Sequence, residues 1–217
     1  MSLVSLSHYL NSSTPGFGGE KSFSVESVSR ISAGKSSNSS SLNLFSHVGT
    51  HLDLPFHFDE HGKKLDDYPA SHWHFKNVCL LELPTQDDQI INLEEHAARI
   101  PVNCDLLLIK TDFEKFRQDE RYWKHNPGLS PESGKFLKMN RPLVRCIGFD
   151  FISLTAFQFR ELGRAAHREF LNSENAEAIC IIEDMKLSNW HSAIKEVIVV
   201  PLLVEQADGT PVTVVAF

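Results

Sequence analysis

The stretch His47-Val48-Gly49-Thr50-His51-Leu52-Asp53-Leu54-Pro55-Phe56-His57 gathers three imidazoles and a carboxylate into eleven residues. All four positions are odd, so in an extended segment the four polar side chains leave the same side of the backbone. A helix scatters them: at about 100° per residue, Asp53 and His57 fall far round the cylinder from His47 and His51, and Pro55 is unsuited to a helix interior. A straight strand does not suffice either, because residues four apart lie ~13 Å apart along it, too far for two imidazoles to share one ion at ~2 Å each. The chain therefore has to bend between His47 and His51. Gly49 stands at the midpoint and, lacking Cβ, can adopt the backbone of a bulge or tight bend. Ordinary hydrogen bonds account for any one of these histidines, but four such groups in one register around a glycine read as a metal site. Imidazole nitrogen with carboxylate oxygen suits zinc, and manganese is compatible once carboxylates join.

Three ligands, His47, His51 and Asp53, leave a coordination position for water, which is what separates a catalytic site from a closed structural one. His57, displaced beyond Pro55, is then the candidate general acid or base, since an imidazole exchanges protons near neutrality. Its alternative role is a further ligand or a support for one. No Gly-x-Ser-x-Gly elbow occurs, which disfavours a serine hydrolase.

The run His-x-Gly-Thr-His-x-Asp-x-Pro-x-His-Phe, complete from His47 to Phe58, resembles the signature of the cyclase family of metal-dependent hydrolases, which includes bacterial kynurenine formamidases. Three further segments resemble that family in the expected order. They are Tyr122-Trp123 with Asn126-Pro127-Gly128-Leu129-Ser130, then Ile147-Gly148-Phe149-Asp150 with Ser153, then Ile181-Ile182-Glu183-Asp184-Met185-Lys186-Leu187. The resemblance implies an α/β fold, a single β-rich domain over 1–217 of the swivelling β/β/α type with a mixed sheet and flanking helices, assembled as a homodimer. It places a second-metal ligand on His167 and a bridging carboxylate on Glu183, giving two zinc ions per chain, with manganese as the alternative. Water is then the nucleophile and His57 the proton carrier. The activity implied is hydrolysis of an aryl formamide such as N-formylkynurenine. A cyclase or a lactone or lactam hydrolase of the isatin type is the second reading, and a non-catalytic metal- or ligand-binding protein the third. Phe17 looks like the counterpart of a substrate-contacting aromatic residue, usually Trp, in the loop after the first strand.

Two features depart from the family pattern. Sixteen positions separate His167 from Glu183, a longer spacing than is typical, with Asn172-Ser173-Glu174-Asn175-Ala176-Glu177 as an inserted loop. Lys110-Thr111-Asp112-Phe113 stands where many relatives have Arg-Thr-Gly-Trp, so one wall of the pocket or interface differs.

Composition sets the outer bounds. The chain has 217 residues, enough for one sizeable core, and 21 Lys plus Arg against 28 Asp plus Glu give a net charge of −7. That balance, without a block of like charges, argues against nucleic acid as a partner. No basic leader opens the chain and no apolar run reaches the ~20 residues of a membrane span, so a cytoplasmic protein is expected. Cys79, Cys104, Cys146 and Cys180 are widely spaced, and three of them sit in apolar runs, which reads as reduced core cysteine.

Along the chain, residues 3–9 read as a first strand and 11–20 as a Gly- and Pro-containing loop. Phe23, Val25, Val28 and Ile31 predict an irregular strand whose partner includes Leu42-Asn43-Leu44-Phe45, joined by a Ser-rich hairpin connection. Apolar runs at 78–83, 106–110, 144–149, 178–182 and 197–204 predict five more strands. Asn92 caps a short helix over 93–100, and Ser130-Pro131-Glu132 starts another over 131–139. Phe159, Leu162, Ala166 and Phe170 predict the longest amphipathic helix, over 156–171.

Overall fold

A computed structural model describes residues 3–174, 176–191 and 194–217. Its strands are β1 (Val4–Ser5), β2 (Phe23–Ser29), β3 (Ser39–Leu44), β4 (His51–Asp53), β5 (His74–Phe75), β6 (Val78–Glu82), β7 (Ile90–Ile91), β8 (Leu106–Lys110), β9 (Gly128–Leu129), β10 (Cys146–Phe149), β11 (Cys180–Glu183), β12 (Val197–Pro201) and β13 (Gly209–Ala216). The α-helices are α1 (Arg121–Lys124), α2 (Pro131–Asn140) and α3 (Arg160–Leu171). One mixed sheet runs β5-β12-β13-β4-β11-β10-β8-β6, with β1 paired to β13. Strands β6, β8, β10 and β11 are parallel, and the β4, β13, β12 and β5 half is antiparallel. The two ends of this path, β5 and β6, are separated by only Lys76 and Asn77, so the sheet curls into a nearly closed barrel. Asp105 holds that corner by accepting from both amides, at 3.1 and 3.0 Å. Arg145 spans the gap by donating to the His74 carbonyl at 2.6 Å.

Alternation explains why the parallel strands read as unbroken apolar runs. Leu106, Leu108, Cys146, Cys180 and Ile182 face one core with Leu52, Phe75, Val197 and Val214. Leu107, Ile109, Ile147, Phe149 and Ile181 face a second core with Phe136, Ala166 and Phe170 from the helices. Both faces are covered, so no polar residue is needed at period two. This parity sets the site. Leu52 and Leu54 of the β4 segment belong to the first core, so His51 and Asp53 face the side of the helices, as does Glu183 by the parity of Ile181. The β4–β11 register then sets His51 directly opposite Glu183 and Asp53 opposite Ile181.

The expected five strands, the bulged β2–β3 hairpin and the caps at Asn92 and Ser130 are all present. The 93–100 segment is a 3-10 helix over Leu93–Arg99, and the first strand is confined to Val4–Ser5. The C-terminal strand β13 was not among the expected elements, because Pro211 and the polar residues between its apolar positions break any continuous run. The helix proper starts at Arg160, and its buried face is Gly163, Ala166, His167, Phe170 and Leu171. Phe159 and Leu162 are 46% and 37% exposed, so the stripe inferred from them is corrected by about a sixth of a turn, toward His167. Of the inserted loop, Asn175 lies outside the described residues. Among the described residues no helix is long and apolar enough to cross a membrane, and all four cysteines are free.

Gly49 takes φ +62°, in the left-handed region, and a Cβ there would sit 2.4 Å from Leu10 Cδ2. Gly49→Ala is expected to destabilise the protein by about 1–2 kcal/mol, the cost of that backbone for an L-residue. Chemical denaturation measures it, and an unchanged midpoint would mean the bend does not depend on glycine.

Candidate metal centre

Only His51 and Asp53 belong to one strand, so the same-side argument from parity holds for that pair alone. His47 precedes the Gly49 bend, and His57 ends a 3-10 turn, Pro55–His57, begun by Pro55. The bend and the turn, not an extended run, bring the four groups together. His167 arrives from α3 across the sheet face, and Glu183 is the last residue of β11. Asp184, with φ +52°, turns the chain away immediately afterwards.

The carboxylates divide their oxygens between two sets of imidazoles. Asp53 Oδ1 lies 2.7 Å from His47 Nδ1 and 3.3 Å from His51 Nε2, while its Oδ2 lies 3.6 Å from His167 Nε2. Glu183 Oε2 lies 3.5 Å from His51 Nε2, and its Oε1 lies 3.5 Å from His167 Nε2. One donor atom each from His51, Asp53 and Glu183 falls within a 4.8 Å sphere of mutual distance, and the same is true of His47, Asp53 and His57. All six residues expected at the metal centre are therefore brought together, and His57 also comes close enough to Asp53 to act as a ligand.

The opposite ring nitrogens are already occupied. His51 Nδ1 donates to the Gly49 carbonyl at 2.8 Å, and His167 Nδ1 to the Gly163 carbonyl at 2.9 Å, so each Nε2 is the nitrogen turned to the carboxylates, donating to them when the ring is protonated and able to ligate a metal when it is neutral. This backbone support fixes tautomer and ring orientation in metal-binding histidines. Asp208, just before β13, does the same for two rings: its Oδ2 accepts from His47 Nε2 at 2.9 Å and lies 3.3 Å from His57 Nδ1. Gly209 leaves the room this needs, since a Cβ there would meet His47 Cε1 at 2.5 Å. Nothing in the sequence near Asp208 marks it as part of a site 150 residues away; the Asp-Gly pair reads as a turn.

The family-like segments without a chemical assignment prove to be supports. Leu154 N–H donates to Glu183 Oε1 at 2.7 Å and Ser153 Oγ reaches the same oxygen at 3.3 Å. Asn126 clamps the backbone on either side of that loop, donating to the carbonyls of Ser153 and Thr155 and accepting from Phe157 N–H. Asp150 accepts three hydrogen bonds from Thr111 and Asp112. Beneath Glu183, Asp184 is held bidentately by Arg117 and accepts from Tyr122 Oη at 2.5 Å.

Burial opposes protonation of the histidines, yet the carboxylates outweigh it. The His47 pKa is pushed up to about 10 by Asp53 and Asp208, and that of His167 to about 9 by Asp53 and Glu183. His51 moves in the same direction for the same reason. Burial alone raises the Asp53 pKa, but His47, His167 and His51 hold it well below the usual carboxylate range. Without an ion, protons on imidazole supply the positive charge that the buried carboxylates demand. The donor set, its spacing and this unmet demand for cations fit a divalent metal with nitrogen and oxygen ligands.

Above the cluster is a cavity of about 300 Å³ walled by Phe17, His57, Phe58, Ile152, Arg160 and Arg164. Phe58 stacks on His167, with ring centroids 4.7 Å apart, and Phe17 meets Phe157 edge-on at 5.5 Å. Phe17 thus stands at the wall where an aromatic residue was expected.

Fold and donor set together define an α/β protein with a buried nitrogen and oxygen site suited to a divalent metal. A family model described as "Putative cyclase" matches residues 4–156, more than half of the chain, and the protein belongs to that family. Kynurenine formamidase of Bacillus cereus is 30% identical over 218 residues, covering 98% of this chain and 95% of that protein. Kynurenine formamidase of Bacillus cytotoxicus is 29% identical over 209 residues, with 96% and 94% covered. Among solved structures, isatin hydrolase A from Labrenzia aggregata bound to benzyl benzoate superposes with a TM-score of 0.82 at 22% identity, covering 99% of this chain and 93% of that one. A potential metal-dependent hydrolase with cyclase activity gives 0.76 at 17% identity, with 99% and 96% covered. The fold is that of the isatin hydrolases.

The raised histidine pKa values set a pH dependence. In metal-free protein His47 and His167 are charged when folded and titrate near 6.5 when unfolded, so their stabilising contribution is complete below pH 6.5 and is lost as pH rises toward 9–10. Metal binding must displace the same protons, so its affinity rises over that window. Melting temperatures of chelated and zinc-loaded protein should therefore diverge between pH 6.5 and 8.5, and a constant difference would contradict this assignment.

Proposed function

We propose that the protein is an arylformamidase, hydrolysing the carbon–nitrogen bond of an aryl formamide such as N-formylkynurenine with two zinc ions bound. The observation that carries this reading is the division of Asp53 and Glu183, each offering one oxygen to the side of His47 and His51 and the other to the side of His167. His47, His51 and His167 would hold the ions, with Asp53 and Glu183 as the carboxylates shared between them; manganese is the alternative metal. When bound, the ions would act as Lewis acids on the formyl oxygen and lower the pKa of a water molecule. In the net reaction the water oxygen bonds to the formyl carbon, the carbon–nitrogen bond breaks, and the arylamine nitrogen gains a proton.

His57 carries that proton. Its half-buried ring sits beside His47, with centroids 4.0 Å apart, and is aimed by Asp208 in the way a carboxylate orients a catalytic imidazole. Phe17 and Phe58 present apolar faces to the substrate ring and keep water from the reacting carbonyl. The same residues would accept a fused ring, so hydrolysis of a cyclic amide of the isatin type is the second reading, favoured by the likeness to isatin hydrolase A.

The architecture is assigned to the swivelling β/β/α type, as one domain over 1–217, and the protein to a homodimer. Val25, Val28, Ile31, Leu42 and Phe45 leave the β2–β3 hairpin exposed and apolar, a surface suited to a second copy. Sedimentation should give twice the 24.5 kDa chain mass, and a monomer at micromolar concentration would exclude the dimer.

The deciding experiment is elemental analysis of protein purified without chelator, paired with N-formylkynurenine and isatin hydrolysis before and after metal removal. About two ions per chain and metal-dependent formamidase turnover are expected. His57→Ala should keep its metal and lose at least ~100-fold in kcat, whereas Asp53→Ala should lose metal as well. Equal metal loss in both would make His57 a ligand, and turnover of isatin alone would select the second reading.

A further inference from the structure

Arg160 stands at the mouth of the cavity and His167 at its floor, seven residues apart on one helix, which is about 10 Å of rise. The Arg160 guanidinium lies over the Phe157 ring, 4.2 Å from its centroid, and 5.9 Å from that of Phe17. Among the described residues no carboxylate lies within ion-pair distance of it, and its N–H groups donate no hydrogen bond. Its neighbour Arg164 is already paired, with Glu161 at 2.6 Å. Among the other arginines of this acidic chain, Arg117, Arg121 and Arg145 are held by Asp184, Asp87 and Asp105, and Arg99 and Arg141 donate to the backbone carbonyls of Glu82 and Ile100.

Stacking uses only the face of a guanidinium. Its edge keeps donors in a fork that matches a carboxylate, and the aromatic platform limits the rotamers left to lose on binding. Phe17 and Phe157 form an edge-on pair beside that fork, so an aromatic ring lying along Phe17 would point one end at the metal centre and the other at Arg160.

We propose that Arg160 is a specificity-determining residue that selects aryl amides carrying a carboxylate on the end remote from the scissile bond. This rests on the amide-hydrolase reading of the same site and adds what that reading leaves open, the residue that would hold the carboxylate which N-formylkynurenine already carries. It also separates the two readings above, because isatin offers no carboxylate to the fork.

A matched pair tests it: 4-formamidobenzoate and its neutral isostere 4-formamidobenzamide, assayed with zinc-loaded enzyme. The acid should be preferred roughly tenfold or more in kcat/KM, the size of one charge-assisted hydrogen bond, with the difference lying mainly in KM. Arg160→Gln should bring the ratio close to one, and Arg160→Lys, which keeps the charge but not the fork, should retain part of it. A ratio near one in the unaltered enzyme, or a preference that survives R160Q, would overturn the proposal. If neither amide is hydrolysed, the hydrolase reading is what fails. Calorimetric binding of 4-aminobenzoate against 4-aminobenzamide then decides: a preference abolished in R160Q supports the carboxylate site, and equal binding overturns it.

Discussion

Two carboxylates, Asp53 and Glu183, are buried within reach of the same imidazoles, with side chains only 2% and 5% exposed. Removing one carboxylate from water is costly and removing two side by side is more so, unless positive charge or hydrogen-bond donors come with them. The surroundings of this pair are arranged to supply both. Three histidines face the carboxylates with their nitrogen atoms, and the Leu154 amide fixes Glu183. The raised pKa values of His47 and His167 and the lowered one of Asp53 describe the same attraction from its two sides. A divalent ion satisfies that demand with more charge in less space than a proton, which is why the cluster reads as a metal centre and not as a buried ion pair.

Precision comes from residues that touch no ligand. The antiparallel register of β4 on β11 sets His51 against Glu183, and the adjacent strand β13 contributes Gly209, whose missing side chain makes room for His47. Backbone carbonyls at Gly49 and Gly163 hold the far nitrogens of His51 and His167. Below the site, Arg117 pairs with Asp184 and Tyr122 donates a further hydrogen bond to that carboxylate, so a buried charge adjacent to Glu183 is neutralised locally. Buried polar networks of this kind are costly if incomplete and rigid if complete. Here they carry the strand end, the Ser153 loop and helix α3, the three pieces that must keep fixed relative positions for both carboxylate oxygens to be shared.

The cavity above the cluster has two chemical ends. Its floor is nitrogen and oxygen, its walls are aromatic, and its mouth holds a cation with unspent donors. His57 lies between, linked through Asp208 to His47, so the group placed to move a proton and one of the groups placed to hold the metal share a single carboxylate. Any change at Asp208 is therefore felt at both.

The stretch from His47 to His57 determined four of the six groups at the centre and the need for a bend at Gly49, because residue chemistry and the length of an extended residue are local properties. The apolar runs likewise determined which segments become central strands, and Asn92 and Ser130 marked two helix starts through their capping side chains. Three things were decided only by tertiary structure. The convergence of His47 and His57 comes from a bend and a 3-10 turn, not from the alternation of one strand. The orientation of α3 follows from packing against the sheet, which rotated its buried face toward His167, whereas the sequence alone gave Phe159 and Leu162 equal claim. Asp208 joined the site because β13, a strand too interrupted to be read in advance, pairs with β4. Strand pairing brings together residues 150 positions apart, and no local pattern of side chains encodes which strand will be the neighbour; that is settled when the sheet closes around its two cores.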